Sequence, residues 1–322
     1  MKRVSLMVIG ALIAVSAVHV RAAETYPTKP IRLVVPFPPG AASDFLARAV
    51  GQQLGEMYGQ QVIVDNRPGA GGLIGSQIIA KANPDGYTIG LVGQPHLSNV
   101  LIRDPMPYDP LKEFDSVTLV ASLPNVVVIG NAVPAKSVTE LIALAKQKPG
   151  QLNFGSAGVG SSSHLAAEMF VAAAGIKSVH VPFKLFSDVF AEMIAGRIHF
   201  YVFPLPAAMP MLKDPRLKAV AVGTPKRAVA LPDVPTTAEA GLPQYQSDSW
   251  FGFVTPKGVP KHVIAKLNAD TIKVLQRQDI RERLQRQGAE PSFGTPAEFQ
   301  KLQRDEYTRL AKLIKDLGIK VQ

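Results

Sequence analysis

At two places in this chain an apolar, strand-like run passes through a loop of small residues straight into a helix. The first is residues 35–50, VPFPPGAASDFLARAV, and the second is residues 153–170, NFGSAGVGSSSHLAAEMF. Strand, loop and helix in immediate succession call for an α/β layout. They also leave the first-turn amides of each helix without an intrahelical partner, aimed at whatever lies above the loop. The helix dipole places partial positive charge at the same spot, so each loop is a candidate anion site. Two such mouths facing each other would clamp a carboxylate.

The rest of the chain repeats the alternation. Strand-like segments fall at residues 31–36, 61–66, 87–92, 117–121, 125–130, 151–155, 178–183, 217–222 and 250–255, and helix-like segments at 43–58, 75–82, 139–147, 162–174, 188–195, 261–287 and 296–316. This order predicts an α/β protein with a mostly parallel sheet. The runs at 117–121 and 125–130 are separated by little more than Pro124, a natural crossing point, and after the Pro-rich connection 225–243 the strand at 250–255 leads back. The expected organisation is two lobes, 23–123 with 248–322 and 124–247, joined by two crossing strands that act as a hinge. A ligand is expected in the cleft between them, outside the carboxyl ends of strands.

Residues 1–22 read as a signal peptide: Lys2 and Arg3, an uncharged and largely apolar run at 4–20, then Val20-Arg21-Ala22-Ala23 as a small-residue cleavage site. The run is shorter than the roughly 20 apolar residues of a membrane span and is interrupted by Ser5, Ser16 and His19. No cysteine follows it, so a lipid anchor is not expected and the product should be free in the periplasm. With 47% hydrophobic and 19% charged residues the chain can bury a core, which argues against disorder. Loss of Lys2, Arg3 and Arg21 lowers the formal net charge from +10 to +7. The basic residues are dispersed, and the densest group, 277–286, is interleaved with Gln, Asp, Glu and Leu as on a solvated helix face. Compartment and dispersion together argue against nucleic acid. Absence of cysteine removes thiol nucleophiles, disulfides and cysteine metal sites.

The loops divide by chemistry. Around Gly40, Ala41, Ser43 and Asp44 the alternatives are an amide-lined anion site and a plain turn with Ser43 or Asp44 as N-cap. Asp44 would repel a carboxylate, so a loop-shaping or water-holding role is expected for it. Asn66-Arg67-Pro68-Gly69-Ala70-Gly71-Gly72 lacks the third glycine of a dinucleotide fingerprint and reads as a tight turn with close packing. Gly155 to His164 is the strongest local signal, with glycines that let N–H groups point inward and serine hydroxyls as donors. It has neither the Lys of a P-loop nor the Gly-x-Ser-x-Gly spacing of a nucleophile elbow, and a capped helix start is its plainer alternative. His164 and Glu168, four apart, read as a surface pair rather than metal ligands, and no metal or cofactor site is expected. Trp250 and Phe251 read as hinge packing.

Taken together, the mature chain resembles the Bug family, the periplasmic solute receptors of tripartite tricarboxylate transporters. The resemblance is carried by Tyr26-Pro27-Thr28-Lys29-Pro30-Ile31-Arg32, the loop from Pro36 to Asp44, Asn66 to Gly75, Pro84-Asp85-Gly86-Tyr87, Gly155 to Leu165, Leu231-Pro232-Asp233-Val234-Pro235-Thr236 and Glu239-Ala240-Gly241-Leu242-Pro243. It implies a type II periplasmic-binding-protein fold, no catalysis, no cofactor, and delivery of a small carboxylate to integral-membrane permease subunits by a monomeric receptor. Carried over by position, the carboxylate is gripped, partly through water, by Phe37, Gly40, Ala41, Ser43 and Asp44 and by Ser156, Ala157, Gly160, Ser161 and Ser162. Three departures concern the remaining space. Ala41 replaces a usual second glycine, Val181-Pro182-Phe183-Lys184-Leu185 replaces a segment resembling Val-Pro-Tyr-Lys-Gly, and Phe203 stands where an Asp is usual. With Phe183 and Phe203 counted as cleft residues, these changes predict a carboxylate with an apolar or aromatic body. A ligand-sensing module presenting the carboxylate to a sensor kinase is the competing role. An enzyme built on the serine-rich loop lacks a recognisable base.

Overall fold

The computed structural model describes residues 26–183 and 186–318. The expected signal peptide, together with Lys184 and Leu185, lies outside the described residues.

The first sheet half is built from β1 (Ile31–Val35), β2 (Val62–Asn66) and β3 (Thr88–Gly93), which pair in parallel in the order β2-β1-β3. Helices α1 (Ala42–Tyr58), α2 (Leu73–Ala80) and α3 (Pro95–Leu101) connect or follow them. The long strand β4 (Phe114–Gly130) then runs out of this half. Beyond it lie α4 (Val138–Gln147), β5 (Leu152–Ser156), α5 (Ser162–Ala174), β6 (Ser178–Pro182), α6 (Phe186–Ile194), β7 (Phe200–Pro204), α7 (Leu205–Ala208) and β8 (Leu217–Val222). Strand β9 (Asp248–Pro256) returns, followed by α8 (Lys261–Gln276), α9 (Gln278–Gln285), the short β10 (Glu290–Pro291) and α10 (Pro296–Asp316).

Strand order is β2-β1-β3-β9-β4-β7-β5-β6, with β8 and β10 also on β4. Parallel pairing is confined to the outer strands of each half. Strands β4 and β9 run antiparallel to their neighbours, because one carries the chain out and the other carries it back. The expectation of a mostly parallel sheet is corrected to that extent.

Pro124 does not divide two strands, as its sequence context predicted, but lies within β4. It is the last residue of β4 paired to β9, opposite Asp248, and from Asn125 onward the ladder is made with β7 and β8. A missing N–H is tolerated where the ladder changes partners. The single helix expected at 261–287 is two, because Arg277 is extended at φ −64°, ψ 135°.

Apolar side chains gather on both faces of each sheet half, as strands flanked by helices require. Leu33, Leu46, Val50, Leu91, Phe253 and Leu267 belong to one cluster of the first half, and Val127, Phe154, Phe170, Phe200 and Tyr245 to one of the second. Among the described residues no helix is long and apolar enough to cross a membrane.

Candidate ligand-binding site

The carboxyl end of β1 leads through Pro36 to Ala41 into α1, whose N-cap, Ala41, has no capping side chain. Ala41 takes φ −71° and ψ 165°, a conformation open to any residue, so replacing glycine here costs no backbone strain. Gly40 is different, at φ +80°. Its N–H donates to Asp44 Oδ2 at 3.0 Å, and Arg48 donates to the same carboxylate through Nε at 3.1 Å and Nη2 at 3.0 Å. Burial acts to raise the Asp44 carboxyl, but the Arg48 and Gly40 hydrogen bonds outweigh it and hold the group below its ordinary value. Asp44 therefore ties the loop to the first turn of α1. Asn66, from the glycine-rich segment, adds a hydrogen bond from Nδ2 to the Phe37 carbonyl at 3.2 Å. These ties leave the amides of residues 42–44 as the open end of a 17-residue helix.

The second loop is built in the same way. Gly160, at φ +76°, donates its N–H to His164 Nδ1 at 3.1 Å. Since a backbone amide can only donate, Nδ1 is the bare nitrogen and the ring proton sits on Nε2, 3.5 Å from Glu168 Oε1. His164 is 4% exposed, so it is not half of a surface pair; the sequence reading is corrected by its role inside the loop. His180 stacks on it with ring centroids 3.8 Å apart and meets Ser156 Oγ at 2.6 Å. Burial, then the neighbouring His164, pushes His180 down to about 4. Both rings thus prop the loop from beneath, His164 through the hydrogen bond to Gly160 and His180 through Ser156.

The serines of this loop have separate tasks. Ser156 Oγ accepts from Gly158 N at 3.1 Å, Ser161 caps α5 by accepting from His164 N at 3.2 Å, and Ser163 Oγ accepts from Ala157 N at 3.0 Å. The hydroxyl of Ser162, the first residue of α5, makes no hydrogen bond among the described residues, and the residue lines the cavity described next.

A cavity of about 680 Å³ opens between the two helix starts. It collects Phe37, Gly40, Ala41, Ala42, Ser43 and Phe45 from the first loop and helix, and Ser162 from the second. Ser43 is 1% exposed and its hydroxyl has no partner among the described residues. The remaining wall is largely apolar: Leu123, Pro204, Pro206, Ala207, Pro210, Trp250 and Phe251, with Gln94, Pro95, Ser249 and Gln287. No Lys, Arg or His lines it among the described residues. Negative charge entering this space meets amides and hydroxyls rather than a cation.

Of the residues expected from sequence, Phe37, Gly40, Ala41, Ser43 and Ser162 face the cavity, while Asp44, Ser156, Ala157, Gly160 and Ser161 hold the loops behind it. Phe203 does not belong to the cavity: its side chain is fully buried, stacked on Tyr201 at 4.2 Å between centroids, because β7 turns it toward the core of the second half. Phe183 packs half-buried against that same core. The apolar wall comes instead from the β7–α7 turn and β9. Trp250 and Phe251 do pack, on Phe299 at 5.4 Å and on Phe37 at 5.6 Å, and they also line the cavity. Gln94, Leu123, Ser249 and Gln287 carried no signal in the sequence, since each is an ordinary residue that only the fold brings alongside the loops.

The chain matches the family model described as tripartite tricarboxylate transporter family receptor over residues 46–319. It is 33% identical over 320 residues to Protein BugT of Bordetella pertussis, covering 98% of each chain. Among solved structures, R. palustris Rpa4515 with adipate superposes with a TM-score of 0.82 at 36% identity, covering 92% of this chain and 99% of that one. MatC from Rhodopseudomonas palustris with bound malate superposes with a TM-score of 0.76 at 28% identity, covering 90% of this chain and all of that one.

Proposed function

Since the chain belongs to the tripartite tricarboxylate transporter receptor family, the Bug receptors, we propose that it captures a small carboxylate in the periplasm and hands it to integral-membrane permease subunits. The family and fold are those of periplasmic solute-binding proteins rather than of enzymes. In this reading residues 1–22 direct export, and a monomer of two lobes, 23–123 with 248–322 and 124–247, closes on the ligand by bending at β4 and β9.

The observation that carries the reading is the pair of helix starts at one cavity. The uncapped α1 offers the amides of residues 42–44 and the unpartnered Ser43 hydroxyl, and α5 offers Ser162 from the other side. Backbone N–H groups and a helix dipole stabilise an anion without a counter-charge. A carboxylate bound this way is discriminated by shape and hydrogen bonds, and the apolar wall of Phe37, Phe45, Pro204, Pro210, Trp250 and Phe251 favours an apolar or aromatic body behind it. The bound adipate and malate of the two similar structures support a carboxylate as the ligand class.

Thermal unfolding of the mature protein with benzoate, phenylacetate, adipate, malate and citrate tests this. A ligand at 100 times its dissociation constant stabilises the folded state by about 2.7 kcal/mol. The expected result is a shift with the apolar acids that exceeds any shift with citrate. Stabilisation by citrate alone would remove the apolar-body reading, and no shift with any carboxylate would remove the receptor reading.

A further inference from the structure

Three buried polar atoms without partners among the described residues belong to residues that line this one cavity: Ser43 Oγ, Gln94 Oε1 and Trp250 Nε1. Ser43 is accounted for by a carboxylate at the start of α1. The other two are not, and their chemistry is complementary. An indole N–H only donates, and an amide oxygen only accepts.

Which end of the Gln94 amide is free follows from its other partner. Nε2 donates to Glu306 Oε1 at 2.8 Å, and Glu306 is gripped by Arg309, whose Nε lies 3.0 Å and Nη2 2.7 Å from Oε2. A carboxylate held by a guanidinium accepts and does not donate, so Glu306 obliges the amide to present its nitrogen to α10 and leaves the oxygen as the free end. Gln94 and Trp250 flank the last pair of the β3–β9 ladder. Gly93 pairs with Phe251, and the next residue on each side is Gln94 and Trp250. Both are at most 5% exposed, and an unmet acceptor or donor at that depth is costly.

We propose that the ligand is a hydroxycarboxylate, its carboxylate at the α1 and α5 starts and its hydroxyl donating to Gln94 Oε1 while accepting from Trp250 Nε1–H. Glu306 is then a positioning residue, which fixes the orientation of the Gln94 amide without touching ligand. The proposal rests on the carboxylate-receptor reading and narrows its ligand class.

Matched acids test it by equilibrium binding to the wild-type mature protein: mandelate against phenylacetate, 3-phenyllactate against 3-phenylpropionate, and malate against succinate. The hydroxy member of at least one pair is expected to bind about tenfold tighter or more than its deoxy partner. Gln94→Leu, whatever it does to affinity as a whole, should bring that ratio down toward one. Glu306→Gln, which frees the Gln94 amide to turn over, should reduce the ratio without weakening the deoxy acid, an effect that general loosening would not produce. Deoxy acids binding as well as their hydroxy partners would overturn the hydroxyl proposal while leaving the receptor reading intact. Binding by none of the six would overturn both.

Discussion

Gly40 donates its backbone N–H to the Asp44 carboxylate four residues ahead, at 3.0 Å. Across the cavity Gly160 donates to the His164 ring, also four residues ahead, at 3.1 Å. Both glycines have φ near +80° and both stand just before a helix start. The two loops are therefore latched alike, each glycine amide being consumed by its own helix so that the following first-turn amides remain for a ligand.

Asp44→Ala is expected to weaken carboxylate binding about tenfold, because loss of a charge-assisted hydrogen bond frees the loop. This is the opposite of what removing a repelling charge from an anion site would do. Asp44→Asn keeps an acceptor for Gly40 and should fall between the two. Calorimetric titration of the three proteins with the same acid decides the sign; tighter binding by Asp44→Ala would show that the carboxylate acts by repulsion.

His164→Asn places a short acceptor where the Asp44 carboxylate stands in the other loop, whereas His164→Leu offers none. The Asn variant should therefore retain more affinity than the Leu variant. Equal affinities in the two would argue that the Gly160 latch does not shape the site.

Gly40→Ala and Gly160→Ala should differ although both force alanine to positive φ, at a backbone cost of about 1 kcal/mol each. A Cβ on Gly40 meets nothing within 4 Å, but one on Gly160 comes within 2.4 Å of Ile102 Cδ1, at the end of α3 in the opposite half of the sheet. Gly160→Ala should thus weaken ligand binding more than Gly40→Ala does, and adding Ile102→Ala should restore part of the loss. A double variant no better than Gly160→Ala alone would place the penalty in the backbone.

The two latches show what the sequence could reveal. Glycine, proline and serine before a helix mark a local event, and residues 35–50 and 153–170 carry it whole, so both helix starts were legible. The far wall is a nonlocal object. Gln94 follows β3, Trp250 lies within β9, and Pro206 and Pro210 lie beyond β7; none is marked as part of a ligand wall until strand order makes them neighbours. Phe203 shows the converse error. Position in a motif marked it as a cleft residue, but alternation along β7 directs its ring into the core against Tyr201. Pro124 between two apolar runs marks the crossing point in the sequence, but only the change of ladder partners explains how one continuous strand accommodates a residue without an N–H.

Acidification should destabilise the protein well before its carboxylates protonate. Burial pushes His96 down to about 3, and burial together with the neighbouring His164 pushes His180 down to about 4, whereas an unfolded histidine titrates near about 6.5. Between those values the unfolded chain binds protons that the folded one does not, so the contribution is complete above about 6.5 and is lost as pH falls toward the folded values. Tm should therefore fall from pH ~7 to pH ~4.5. His180→Phe, which keeps the stack and cannot protonate, should fall less steeply; a slope unchanged in that variant would remove His180 from the effect.

The central claim is that one carboxylate is held by the first-turn amides of both α1 and α5. Titration of the 15N-labelled mature protein with the acid giving the largest thermal shift tests it most directly. The amide protons of residues 42–44 and of Ser162 and Ser163 are predicted to move downfield together and saturate at one equivalent. Shifts confined to one helix start, or absent from both, would contradict it.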